Sequence, residues 1–234
     1  MKKKYKCVIP NLQMWVSYHD DSLINKYHLK ETRVYKLFAT HKIPDLNYNI
    51  NYFHRICNEA ATIYYVWRNQ IYSEFVGFEH YRRRFNLNNI YKLDQDLCYC
   101  MFIRETFDYR DDFNMVYLRI PKYEKFYDII LDILDRQFGK NNIYSYILTH
   151  DNMPFISNEC FIMSWDKFNK LCKFAFWLMF TYDKRIGGNM KEENYMRIYN
   201  NNSYFARWHI FERIIGCWIA ANFKRNHIIV FKQR

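Results

Sequence analysis

Glycine and proline are scarce in this chain, five and four among 234 residues, which leaves little material for flexible linkers. Long apolar runs are missing too. The longest, residues 174–180 and 214–221, fall well short of the roughly 20 residues that cross a bilayer, so any membrane contact is expected to be peripheral. The start, Met1-Lys2-Lys3-Lys4, is basic like that of a signal peptide, but no apolar stretch follows it, and secretion is not expected. No repeat, low-complexity tract or C-x-x-C pair occurs. The seven cysteines (Cys7, Cys57, Cys98, Cys100, Cys160, Cys172 and Cys217) lie mostly within apolar runs and read as reduced core residues of a cytosolic protein. Cys98-Tyr99-Cys100 would point two thiols to one face of a strand, but without a second pair nearby it does not read as a metal site.

What the chain has in quantity is apolar and aromatic material, 50% and 21% of residues, far too much for disorder and enough for one domain spanning 1–234. The formal charge of +11 favours nucleotides, nucleic acid or an anionic membrane face without choosing among them. Short β-rich runs alternate with longer helical patterns, the signature of an α/β domain with a mostly parallel central sheet flanked by helices. Strands are expected over residues 14–18, 34–39, 74–78, 97–103, 115–118, 160–163 and 227–231. Helices are expected over 52–68, 124–138, 166–182 and 204–223. Residues 151–154 and 187–202 read as loops, the second long and polar enough for a mobile lid.

The most informative stretch is residues 74–85, an apolar strand that runs into His80-Tyr81-Arg82-Arg83-Arg84. Strands of open α/β sheets deliver functional groups at their carboxyl ends, and guanidinium groups there suit a phosphate-bearing ligand. Glu59 falls on the apolar stripe of the 52–68 helix (Ile56, Ile63, Val66), and Glu212 on that of the last helix (Phe205, Trp208, Ile215, Ile219). An inward carboxylate costs several kcal/mol unless it is paired, and Arg82, Arg83 and Arg84 are the obvious partners. On the bland reading these acids only anchor the arginines, and the arginines are solvated surface.

In order along the chain, several pieces match a known pattern: Val16-Ser17-Tyr18-His19-Asp20, with Thr40-His41-Lys42 as a competing match; Asn49-Ile50, Glu59, Trp67 and Asn69; Gly77, His80, Tyr81, Arg82, Arg83 and Phe85; Phe161-Ile162-Met163; and Glu212-Arg213 with Trp218-Ile219. On these residues the chain resembles the capsular-polysaccharide-synthesis proteins with a His-Tyr-Arg-Arg signature, long catalogued as a domain of unknown function and regarded as GT-A-like glycosyltransferases. It departs from them at Asp20, where a lysine is usual, in the approach to Glu212, and at Asn158, displaced from just before Phe161.

The resemblance implies a GT-A-like, Rossmann-like single domain that takes a nucleotide-sugar donor and a glycan acceptor. It places His19, Glu59, His80, Tyr81, Arg82, Arg83, Glu212 and Arg213 at the donor. Where such folds usually hold a divalent ion with Asp-x-Asp, this strand end reads His80-Tyr81-Arg82, so fixed positive charge is expected to replace the metal, with no required cofactor. Asp94-Gln95-Asp96 is a literal Asp-x-Asp and the competing site for Mn2+ or Mg2+. On the acceptor side, Glu159 is the first candidate for a catalytic base and Asp151 the second. The expected setting is cytoplasmic, with peripheral association at the inner membrane face. Two rivals remain: a basic module that binds nucleic acid without catalysis, weakened by scattered charges and aromatics at core spacing, and an inactive GT-A-like scaffold.

Overall fold

The computed structural model describes residues 11–45, 48–90, 92–102, 124–149, 159–201 and 210–232. Six strands form one sheet: β1 (Leu12–Tyr18), β2 (Tyr35–Ala39), β3 (Phe75–His80), β4 (Cys98–Phe102), β5 (Phe161–Ser164) and β6 (Ile228–Lys232). Their spatial order is β2-β1-β3-β5-β4-β6. β1 pairs in parallel with both β2 and β3, and β4 with β6, whereas β5 runs antiparallel between β3 and β4. Five strands therefore share one direction and β5 alone is reversed, which refines the expected mostly parallel sheet.

The central strands are buried on both faces, which is why β1 and β3 read as nearly unbroken apolar runs. Alternate residues serve different layers. Trp15, Val76, Phe78, Cys98, Cys100, Phe161 and Met163 pack on a helical layer. Met14, Phe75, Tyr99, Cys160 and Ile162 face a second cluster closed by Phe85, Ile90 and Leu93. The helical layer consists chiefly of α3 (Ala60–Arg68), α4 (Glu124–Phe138), α5 (Ile143–Thr149), α6 (Trp165–Ile186) and α8 (Ile210–Asn222); shorter helices are α1 (Ser22–Lys26), α2 (His54–Cys57) and α7 (Glu192–Ile198). The six cysteines among the described residues are buried thiols. No helix among the described residues is long and apolar enough to cross a membrane.

Two expectations need correction. The helix over 52–68 is broken: Asn58 takes φ 48° and ψ −128°, ending α2 and restarting the chain as α3 with Glu59 at its N-cap. The segment 187–202 is not a structureless lid, because it carries α7. Gly187 ends α6 in the left-handed region at φ 77°, and both carboxylate oxygens of buried Asp183 accept from Met190 N–H, at 3.0 and 3.2 Å. Tyr195 then packs edge-on to Phe53, and the hydroxyls of Tyr182 and Tyr199 meet at 2.6 Å, so aromatic burial holds what its polar composition suggested was loose. The last helix is described only as Ile210–Asn222. The expected strand over 115–118 and the loop 151–154 lie outside the described residues.

Gly77 marks the closest approach inside the sheet. A Cβ there would sit 2.3 Å from Met14 Sδ and 2.8 Å from Ile162 Cγ1, within the neighbouring strands β1 and β5. Gly77→Ala is accordingly expected to lower the unfolding free energy by about 1–3 kcal/mol through overpacking, read as a reduced urea midpoint with an unchanged slope. An unshifted midpoint would mean that Met14 vacates the space at no cost.

Candidate functional site

The carboxyl ends of β2, β1 and β3 lie side by side, with Ser17 paired to His80 and Tyr18 to Ala39. Above them opens a cleft of about 300 Å³, lined by the strand-end residues Ser17, Tyr18, His19, Thr40, His80, Tyr81 and Arg82 and by the helix-borne His54, Arg55, Asn58 and Glu59, with Glu159 and Glu212 completing the wall. The reversal of β5 explains Glu159: an antiparallel strand starts where its parallel neighbours end. Ligand clefts of open α/β sheets form at this edge.

The floor is fixed by short-range bonds. Tyr81 N–H continues the ladder to Ser17 O at 3.2 Å, and the hydroxyls of Ser17 and Thr62 meet at 2.7 Å, tying β1 to α3. Buried Asn51 directs its amide at the carbonyls of Ala39, Thr40 and Lys42, at 3.0, 3.0 and 2.6 Å, and holds the end of β2 against the turn before α2. At the end of β3, Arg83 N–H returns to His80 O at 2.9 Å. His80 Nδ1 accepts from Arg82 N–H at 3.3 Å, which leaves the ring proton on Nε2, 3.1 Å from Glu59 Oε1. His80 is buried and Glu59 nearly so, at 18% side-chain exposure. Burial acts to raise the pKa of Glu59, but the His80 hydrogen bond and charge outweigh it, and the pKa lies below its usual value.

Tyr81 stands at the centre of a ring stack. His19 and Tyr27 meet it edge-on at 5.3 and 5.0 Å, and the guanidinium of Arg82 lies over its face at 5.2 Å. Arg82 is exposed at the cleft and has no carboxylate partner among the described residues. Glu159, in contrast, is 3% exposed, sits at φ 53°, and leaves Oε2 without a hydrogen-bond partner among the described residues. Burial, reinforced by the neighbouring charges of Glu212 and then Glu59, raises its pKa well above the usual value. A non-glycine residue in the left-handed region carrying a buried acid with one oxygen left unbonded among the described residues is the type of strain that accumulates at working sites.

The cleft thus gathers His19, Glu59, His80, Tyr81, Arg82, Glu159 and Glu212 as expected, and not the other candidates. Arg83 closes the turn with its backbone and does not line the cleft, because successive residues of the turn face different ways. Arg213 is buried on α8 next to Glu212 and does not line it either. Asp151 lies outside the described residues. Asp94 and Asp96 stand before β4, at the opposite end of the sheet: Ser164 Oγ donates to Gln95 O, and Ser164 pairs with Phe75 at the beginning of β3. Asp94 is also engaged, by Lys92 at 2.8 Å and Asp96 N–H at 3.1 Å. This turn does not fit a metal at the cleft, and among the described residues no three His, Cys, Asp or Glu side chains converge as a metal site. As for the competing histidines, His19 enters the cleft while His41 turns to Asp21 at 3.4 Å, so only Thr40 of its segment lines the wall.

The pairing of acids with the arginine cluster differs from expectation. Arg84 goes to Glu79, which the sequence reading did not single out, at 3.1 Å; the second Glu79 oxygen accepts from Phe85 N–H at 2.6 Å. Glu79 and His80 are adjacent in a strand and so point to opposite faces, and the acid nearest in sequence takes the cation on its own face. Strand alternation could have exposed this. Arg55, His54 and Asn58 were also missed; they precede Glu59 by one to five residues, and the break at Asn58 turns them to the same cleft.

No family model matches the chain, and no curated protein matches it. Among solved structures it is similar to one described as the apo form of WbbM, a bifunctional glycosyltransferase, with a TM-score of 0.63 and 18% identity. The match covers 96% of this chain and 45% of that one, so the chain spans about half the length of the structure it resembles. At that identity the likeness establishes the fold alone: a mixed α/β sheet flanked by helices, of GT-A-like type.

Burial pushes Glu79 up to about 7 despite Phe85 N–H and Arg84. A carboxyl whose folded pKa exceeds its unfolded value contributes stability that is fully present below about pH 4.5 and lost as pH rises through about 7. Glu79→Gln keeps an acceptor for Phe85 N–H and removes the titration. The variant is expected to flatten the fall in denaturation free energy between those pH values by about 2–3 kcal/mol. Parallel stability curves for variant and wild type would show that folding does not raise the pKa of Glu79.

Proposed function

We propose that the protein is a glycosyltransferase that moves a sugar from a nucleotide-sugar to a surface polysaccharide or related glycan. The observation that carries this reading is the division of charge in one cleft at the carboxyl edge of a glycosyltransferase fold: Arg82, with His19 beside it, at the strand ends, and the buried acid Glu159 across the floor. In this account Arg82 binds the diphosphate and stabilises the charge that develops on the leaving nucleoside diphosphate as the sugar C1–O bond breaks. Fixed charge takes the place of a metal in the clamp. Glu59 orients His80, whose ring holds the Arg82 backbone, so the pair acts as a positioning device.

An acceptor hydroxyl attacks C1 and gives its proton to Glu159. Burial and the neighbouring acids make that carboxylate a stronger base than an exposed one, but only after it has lost its own proton. The rate is therefore expected to rise with pH as Glu159 ionises. Glu159→Gln should lower kcat by about 10²–10⁴-fold and leave donor binding intact, whereas Arg82→Ala should weaken donor binding by about 10-fold or more.

A thermal-shift panel of nucleotide-sugars, with and without manganese, identifies the donor, since a specific ligand raises the melting temperature by mass action. Sugar transfer with that donor should survive a chelator; complete loss, restored by manganese, would rule out the metal-free clamp. Retained donor binding in Arg82→Ala would contradict the role given to Arg82, and donor binding unaffected by replacing both Arg82 and Arg83, without sugar transfer, would point to an inactive scaffold.

A further inference from the structure

Arg55 lies on α2, four residues before Glu59, and lines the same cleft as Arg82. Its side chain is 71% exposed, and Nη1 lies 3.4 Å from Oε1 of Glu192. That separation exceeds the usual span of a charge-assisted hydrogen bond, and exposed pairs of this kind hold weakly. Glu192, in contrast, sits on a pinned element. It opens α7, which is fixed by the left-handed turn at Gly187, by Asp183 on Met190 N–H, by Tyr195 beneath Phe53 and by the Tyr182–Tyr199 hydroxyl contact. An exposed guanidinium at the wall of the cleft thus rests at long range on a carboxylate carried by a pinned helix.

We propose that Arg55 is a second diphosphate-binding residue, parked on Glu192 in the free protein and exchanged onto the phosphates when a nucleoside diphosphate group enters. The proposal rests on the reading of the cleft as a nucleotide-sugar site and adds a cation to it from a different element. A diphosphate offers Arg55 two adjacent charged acceptors in fork geometry, where Glu192 offers one oxygen at long range. Glu192 then sets affinity by competing for Arg55, with no contact to the ligand.

The test is calorimetric titration of the full chain, without added divalent metal, with UDP, GDP, ADP and dTDP as probes. Wild type is compared with Arg55→Ala, Arg55→Lys, Glu192→Gln, the double variant Arg55→Ala/Glu192→Gln, and Arg82→Ala. For whichever probe binds, Arg55→Ala is expected to weaken affinity about tenfold, with Arg55→Lys in between because lysine keeps charge but not the fork. Glu192→Gln is expected to tighten it about threefold, and that gain should vanish in the double variant, as coupled sites require. Unchanged affinity in Arg55→Ala, alongside a loss in Arg82→Ala, would overturn this proposal and leave the cleft reading standing. Weakening in both Arg55→Ala and Glu192→Gln would reduce the pair to a structural brace and overturn it as well. Binding of none of the probes to wild type would remove both the proposal and the reading beneath it.

Discussion

The contact on which the site depends is the hydrogen bond from His80 to Glu59, 3.1 Å long and almost closed to water. It joins the end of β3 to the first residue of the α3 segment, beside the Ser17–Thr62 hydroxyl contact that ties β1 to α3. A buried carboxylate without that donor would pay its full desolvation cost, so the pair locks the ring of His80 in one orientation. The ring in turn receives Arg82 N–H and so sets where the arginine leaves the strand. One interaction therefore fixes both the wall of the cleft and the origin of its exposed cation.

Alternation along β3 divides the remaining charge. Glu79 faces the second cluster and holds Arg84 and the Phe85 amide; His80 faces the helical layer and holds Glu59. Drawing Arg84 to Glu79, away from the cleft, leaves Arg82 as the strand-end guanidinium that a ligand meets. The same geometry brings Glu159 close to Glu59 and Glu212, because β5 alone runs backwards and begins where β3 ends. Burial, reinforced by these like charges, raises the pKa of Glu159, and the ligand-facing edge thus carries a cation and a strained acid within one cavity.

Much of this was readable beforehand. The apolar runs of β1, β3 and β5, the α4 boundaries and the gathering of Glu59, His80, Tyr81 and Arg82 follow from hydrophobic periodicity and from the rule that strand ends carry function. What escaped did so for physical reasons. The helix over 52–68 has unbroken helical periodicity, and nothing in its composition announces that Asn58 adopts positive φ; asparagine is the residue that tolerates it, but only tertiary contacts require it. The α7 segment is polar by count, yet two tyrosines and one aspartate pin it. Asp94-Gln95-Asp96 matches a motif in letters, but a motif has no direction along the sheet until the strand order is known, and that order puts it at the far edge. The pairing of Arg84 with Glu79 over the inward helix acids turned on which face each residue occupies, a one-residue distinction.

A scaffold shared at 18% identity fixes the fold, and the chemistry must then come from the side chains placed on it. The measurement that bears most directly on the account is a crystal structure with an intact nucleotide-sugar bound. The account predicts the diphosphate at the carboxyl ends of β1 and β3, in contact with the Arg82 guanidinium, and the sugar turned toward Glu159. A diphosphate bound elsewhere, such as at the Asp94–Asp96 turn through a divalent ion, with Arg82 left in solvent, would contradict it.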